Sequence, residues 1–377
     1  MNELRERLYE ELDSKIGETP LFRYEGKVPN GNAIWIKSEF DNPFGSHYDR
    51  VYQALFRHHE ESGDISPGDK VLETSSGSAG VSFAGIGKEL GYECYVALPA
   101  NGEKARERAI QEQLLDQNHL ILTPGEDYVN AFPKFLRRFM RKNRDFYFLN
   151  HSMGENGRNN EVTLGALGEI ASESMSEVDF NFFIPAVGNG SSVLGPSRVF
   201  NELDNILSGT IGGLIEEPSS FSMFGNDQIN SAISYVDSIR TRIVPFETFQ
   251  SAVLYDLKHP GKYEEEFGIN PGTLSRHTLP GTSFQGINFP HIRNSLEEGL
   301  IDDVVLVSDE KMDEEYHERT RRDDSKRLVH WDTPIEDHKD VGRTTRAGIN
   351  VALNIASRVE GKDMLIIGYD KADRYDV

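Results

Sequence analysis

One cysteine, Cys94, is all that this chain of 377 residues contains. An internal disulfide is therefore impossible, and paired-thiol redox chemistry is excluded. Cys94 sits in GYECYVALP, which reads as a strand after a helix, so a buried structural thiol is expected there. No apolar run approaches the ~20 residues that a membrane helix needs. The opening MNELRERLYEELDSK is charged throughout and lacks the apolar core of a signal peptide, which points to a cytoplasmic protein. Positive charge is scarce: 40 Lys and Arg face 62 Asp and Glu, for a net charge of −22. That balance opposes nucleic-acid binding, which wants a basic stripe. The acids are spread along the chain, as on a solvated surface.

Several motifs are missing as well. GxxxxGK[ST] does not occur, GNGSSVLG lacks the full dinucleotide fingerprint, and no GxSxG elbow joins a strand to a helix. No His, Cys or carboxylate cluster shows metal-ligand spacing, so no metal is expected. His58-His59 reads as a surface pair on a helix.

What the chain does contain is alternation. The runs IWIKSEF, YDRVYQALFRHHEES, KVLETS, AGVSFAGIGKELG and ECYVALP switch between strand and helix periods. FNFFIPAV, LGPSRVFNEL and TIGGLIEE repeat the pattern, and AGINVALNIASRVEG with DMLIIGYD ends it. The fold class is thus α/β, with twisted, mainly parallel sheets flanked by helices. Two stretches interrupt the alternation, about 219–283 and 321–341, and read as insertions.

Two small-residue turns join strands to helices. Ser75, Ser76, Gly77, Ser78 and Ala79 follow KVLET, where hydroxyls and backbone N–H groups face an anion at a helix start. Gly188, Asn189, Gly190, Ser191 and Ser192 follow FFIPAV and form a phosphate-sized nest. Together they suit an anionic ligand, a carboxylate on one and a phosphate on the other.

In order along the chain, these segments resemble the cysteine synthase family of fold-type II pyridoxal-phosphate enzymes. Ile16 to Leu21 is similar to IGNTPL, and Lys37 to Ser46 to KLEFFNPGGS. ETSSGSAG resembles EPTSGNTG, and GNGSSVLG resembles GTGGTITG. Glu217-Pro218, Phe284 to Ile287, Asp309-Glu310 and Asp370 to Tyr375 match later landmarks of the family. The resemblance implies a smaller domain over 44–150 and a larger one from 1–43 plus 151–377. It implies that Ser75, Ser76, Gly77, Ala79 and His151 face a substrate, Ala79 in place of a threonine and His151 in place of a glutamine. It places the cofactor against Ser78, the 188–192 nest, and Thr344 or Thr345 near the pyridine nitrogen. A homodimer is expected.

The main departure lies in Asn42 to Arg50, similar to NPGGSVKDR with Tyr48 in the lysine position. A phenol has no amine and forms no imine, and its pKa near ~10 makes it a weak base. Pyridoxal phosphate, if bound, is then bound non-covalently. Three functions stay open. One is a degenerate paralogue that binds a small amino-acid-like or phosphorylated ligand, or a partner's C-terminal peptide, in the old cleft. Another is a lyase or transferase acting on an amino acid through the cofactor. The third is a lysine-independent enzyme using Tyr48 and His47. Two other lysines are candidates for the lost role: Lys37, on the strand entering the site and similar to a family lysine that is not the catalytic one, and Lys104, in the loop NGEKARER.

Overall fold

The computed structural model describes residues 3–125, 128–151, 158–202, 240–274, 279, 290–310, 312, 328–336 and 340–376. Helix α1 (Glu3–Asp13) precedes strands β1 (Leu21–Arg23) and β2 (Ala33–Lys37). Next come α2 (Tyr48–Glu61), β3 (Lys70–Thr74), α3 (Ser78–Glu89), β4 (Glu93–Pro99) and α4 (Lys104–Gln113). Strand β5 (Leu120–Thr123), α5 (Phe132–Lys142), β6 (Phe146–Phe148) and α6 (Arg158–Met175) follow. Strands β3 to β6 form one sheet in the order β5-β4-β3-β6, parallel throughout. Helices cover it, so β3 is buried along four of its five residues rather than on alternate ones.

A second sheet of five strands runs β1-β2-β12-β7-β8, with β7 at Phe182–Phe183, β8 at Arg242–Ile243 and β12 at Asp363–Ile367. Only the β1–β2 pair in it is antiparallel. A third sheet joins β9 (Phe246–Thr248), β10 (Val305–Ser308) and β11 (Val329–His330) in parallel. The fold is α/β, with parallel sheets flanked by helices.

Two sequence expectations change in detail. FNFFIPAV forms a ladder only at 182–183, with a single bridge at Ala186. Pro185 between them has no N–H to give a neighbour. The stretch that broke the alternation supplies β8 and β9 at 242–248. TIGGLIEE, most of SAISYVDSIRTR, and the landmarks at 217–218 and 284–287 lie outside the described residues.

Close helix packing positions the start of α2. A Cβ on Gly85 would fall 2.2 Å from the Phe44 ring, and one on Gly87 2.2 Å from the Cys94 sulfur, so α3 approaches both only as glycine allows. Cys94 is buried there, and burial raises its thiol pKa. Arg50 is buried in α2 and makes paired hydrogen bonds to Glu39 (2.8 and 2.9 Å) and Glu173 (2.6 and 2.8 Å). Breaking a buried pair of this kind costs about 3–5 kcal/mol, so α2 is anchored firmly one turn from its first residue, Tyr48. Among the described residues no helix is long and apolar enough to cross a membrane, and no group of three or more His, Cys, Asp or Glu could hold a metal ion.

Candidate functional site

Tyr48 opens α2, with its backbone N–H bonded to Ser46 Oγ at 3.2 Å. Its ring lies 4.1 Å from the His47 ring and meets His151 edge-on at 5.4 Å. His47 also meets Tyr369 at 5.1 Å, so Tyr369, His47, Tyr48 and His151 form a continuous run of rings. The two histidines, exposed on a simple reading of their polar character, are both buried. His151 Nδ1 lies 2.8 Å from the Tyr52 hydroxyl and 3.2 Å from Glu73, and its backbone N–H donates to Glu73 as well.

Burial governs the acid–base character of this group. It pushes Tyr48 up to about 12, with Arg106 opposing and Asp370 and Glu73 adding to the rise. It pushes His47 down to about 3, aided by His151 and Arg50. Both are therefore neutral at pH 7. His47 Nδ1 is buried with no hydrogen-bond partner among the described residues.

Several donors of the loop after β3 are held within the protein. Ser75 Oγ accepts from the Gly77 and Gly80 N–H groups at 3.1 and 2.8 Å, and caps α3. Ser78 Oγ donates to Asp370 at 2.9 Å. Asp370 also accepts from Arg106 (3.1 Å) and the Tyr375 hydroxyl (2.8 Å). The Arg106 guanidinium packs on the loop so closely that a Cβ on Gly77 would fall 2.4 Å from it. Ala79 is buried behind the loop and Ser76 is half-buried.

The nest is built differently. Gly190 takes φ +92, and its carbonyl starts the helix at 191–202. Asn189 Oδ1 accepts from the Ser191 N–H (2.9 Å) and Oγ (2.7 Å), a neutral oxygen placed where an anion's oxygen would sit. The Tyr369 hydroxyl accepts from the Ala186 N–H at 2.8 Å, just before the nest. Thr345 Oγ1 accepts from the Tyr369 N–H at 2.9 Å, and Thr344 beside it is buried. Tyr369 thus ties the chain just before the nest, His47 and Thr345 together.

Most predicted site residues lie together here, joined by Arg106, Tyr369 and Tyr52, which no motif singled out, and by Glu73 and Asp370, which lie in matched motifs without an assigned role. Lys104, two residues from Arg106, is exposed and paired with Glu107. A usable signal was the four-residue spacing of Arg106 and Ile110, which puts both on the buried face of α4. Lys37 is buried away from the rings, bonded to the Thr19 carbonyl (2.5 Å) and Glu173 (2.6 Å). The histidine pair on α2 is not a surface pair: His59 is buried between Asp64, Asn159 and Tyr147.

Comparison with known proteins adds relatives to this geometry. Residues 12–318 match the model of a family described as pyridoxal-phosphate dependent enzymes. Cysteine synthase B of Salmonella typhimurium is 28% identical over 210 residues, which are 55% of this chain and 66% of that protein. A cysteine synthase of Staphylococcus aureus is 26% identical over 50% of this chain and 59% of its own length. The matched part therefore spans about six-tenths of these relatives. A putative mitochondrial cysteine synthase of Saccharomyces cerevisiae is 24% identical over 97% of this chain and 82% of its own. Among solved structures, a hydrogen sulfide-producing enzyme from Fusobacterium nucleatum aligns with TM-score 0.68 at 18% identity, covering 97% and 99% of the two chains. An O-acetylserine dependent cystathionine beta-synthase from Helicobacter pylori aligns at 0.65 and 19%, over 97% and 96%. These structures speak to the fold alone.

Proposed function

From the chain's membership in the pyridoxal-phosphate dependent enzyme family, we propose a cysteine-synthase-like protein without the Schiff-base lysine, which binds a phosphorylated or amino-acid-like ligand in its cleft. In this reading Tyr48 stands where the family carries that lysine, and the cleft lies between a 44–150 lobe and a lobe built from both chain ends. The chain is a cytoplasmic homodimer, and a partner's C-terminal peptide is a further candidate occupant.

The supporting observation is the ring cluster around Tyr48. It offers no amine, and the lysines that could substitute are committed elsewhere, Lys37 to Glu173 and Lys104 to Glu107. The phosphate end does suit the family's cofactor. Ser191 and Ser192 are buried at a helix start, with the Asn189 oxygen acting as a stand-in acceptor. Pyridoxal phosphate held there would supply an aldehyde and an electron-withdrawing ring. The chain's own residues would grip the phosphate through the nest and close the ring site with Tyr48, Tyr369 and His47. Neither Tyr48 nor His47 is a proton acceptor matched to neutral pH: Tyr48 keeps its proton and His47 stays neutral. Binding without turnover follows more naturally than general-base catalysis by Tyr48 and His47.

Absorption spectra with added pyridoxal phosphate, then borohydride and peptide mass mapping, test the proposal. Saturable binding with no stoichiometric reduced adduct is expected. A stoichiometric adduct on one lysine would refute it and restore the amino-acid lyase or transferase reading.

A further inference from the structure

His291 belongs to no motif read above, yet it has the least satisfied side chain next to the nest. It is fully buried in the helix Pro290–Glu297, and neither ring nitrogen has a hydrogen-bond partner among the described residues. A neutral imidazole carries one donor and one acceptor, and leaving each buried and unmet costs about 1–3 kcal/mol. A group so placed calls for an explanation in a missing partner.

Its neighbours indicate what that partner is. A Cβ on Gly190 would fall 2.8 Å from the Ile292 backbone N and 3.1 Å from the His291 carbonyl carbon. The first turn of this helix therefore lies directly on the nest, beside the start of the helix at 191–202. Two helix starts, each with partial positive charge, meet at Gly190. The His291 ring is within electrostatic reach of His151, part of the ring cluster, and of Arg198 on the nest helix. His47 Nδ1, also buried and without a hydrogen-bond partner among the described residues, packs against Tyr369, whose hydroxyl accepts from the Ala186 N–H just before the nest.

We infer that His291 is a ligand-binding residue, donating an imidazole N–H to an oxygen of a phosphoryl group seated on residues 188–192. The inference rests on the proposed ligand-binding role of the cleft and names the phosphate ester as its ligand class. Such a group displaces the Asn189 oxygen from Ser191 and meets a third type of donor, besides the backbone N–H groups of the helix starts and the serine hydroxyls. The His291 proton stays on the ring, so no covalent step is involved.

The test titrates the full-length protein with inorganic phosphate, following 31P line width and calorimetry, in wild type, His291→Phe and His291→Gln. Hydrogen bonds to charged groups imply that His291→Phe weakens phosphate binding at least about tenfold. His291→Gln, which keeps a donor, should recover most of the affinity. Unliganded His291→Phe should unfold at no lower urea concentration than wild type, because it removes two unmet polar atoms. Should His291→Phe be unfolded, the wild-type His291 ring resonances decide instead, and they should shift on phosphate addition. Unchanged affinity in a folded His291→Phe, or unshifted ring resonances, would overturn the role of His291 while leaving ligand binding standing. No phosphate binding by the wild type would overturn the inference, and saturable pyridoxal phosphate binding in the same protein would leave the proposed function standing.

Discussion

Asp370 is the natural place to perturb the cleft, because one buried carboxylate there collects three donors from three parts of the chain. Ser78 comes from the loop after β3, Arg106 from α4 and Tyr375 from the segment beyond β12. Replacing Asp370 by Leu removes the counter-charge of a guanidinium that is itself buried, and a cost of about 3–5 kcal/mol is expected. Replacing Arg106 by Met should cost less. A carboxylate left between two hydroxyls can take up a proton, whereas a guanidinium cannot shed one. The double variant Arg106→Met/Asp370→Leu removes both charges and leaves apolar groups of similar bulk. It should be more stable than Asp370→Leu alone, with a coupling of about 2–3 kcal/mol. Urea unfolding followed by circular dichroism reads this through the midpoints, at an unchanged slope. Simple addition of the two single losses would refute the reasoning, since it would mean that neither charge feels the other.

Asp49 is fully buried between the Phe44 N–H and Ser82, and burial pushes its carboxyl up to about 7. Its folded pKa exceeds the unfolded value near ~4, so its stabilising share is complete below that pH and is lost as pH rises through 7. Asp49→Asn should therefore gain stability relative to wild type between pH 5 and pH 8, and equal urea midpoint differences at the two pH values would contradict this. His47, pushed down to about 3 by burial, has the opposite sign: its share is complete above ~6.5 and is lost as pH falls. Its ring proton resonances should stay flat from pH 8 to about pH 5, and a midpoint inside that window would reject the buried, neutral assignment. Gly190→Ala forces a Cβ against the Ile292 backbone at φ +92, so a loss of about 1–3 kcal/mol is expected, measured by urea unfolding. An unchanged midpoint would show that the two helix starts do not meet as described.

Local pattern made the frame legible. ECYVALP is the strand 93–99 to the residue, and YDRVYQALFRHHEES contains α2 because Val51, Tyr52, Leu55 and Phe56 recur at helical spacing. Both small-residue turns were legible for the same reason, as each lies between a strand and a helix. The pairings were not. Arg106 and Asp370 stand 264 positions apart, and nothing local says that one neutralises the other. Strands β7 and β8 have two residues each, too short to show a period. His291 is one histidine on a short helix, and its significance is the lack of partners, which only packing reveals. Even the nest was misjudged in one respect. Its glycines suggested open backbone, yet Asn189 fills the helix start with its own side chain, as asparagine readily does.

The two ends of the cleft consequently differ in what a ligand must displace. At the loop after β3, the Gly77 and Gly80 N–H groups are held by Ser75, and Ser78 and Arg106 are held by a buried carboxylate. A carboxylate ligand entering there competes with a charged group already in place, at a cost of several kcal/mol on the scale of buried pairs. At the nest the competitor is a neutral amide oxygen, whose hydrogen bonds are worth about 1 kcal/mol each, and a buried imidazole with nothing to lose stands beside it. Phosphate should therefore bind ahead of acetate, and parallel titrations with the two ions put that ordering to the test. In the proposed reading this order accounts for how such a cleft would keep a use without an amine: the nest, Tyr369 and His291 would hold a phosphate whatever is attached to it.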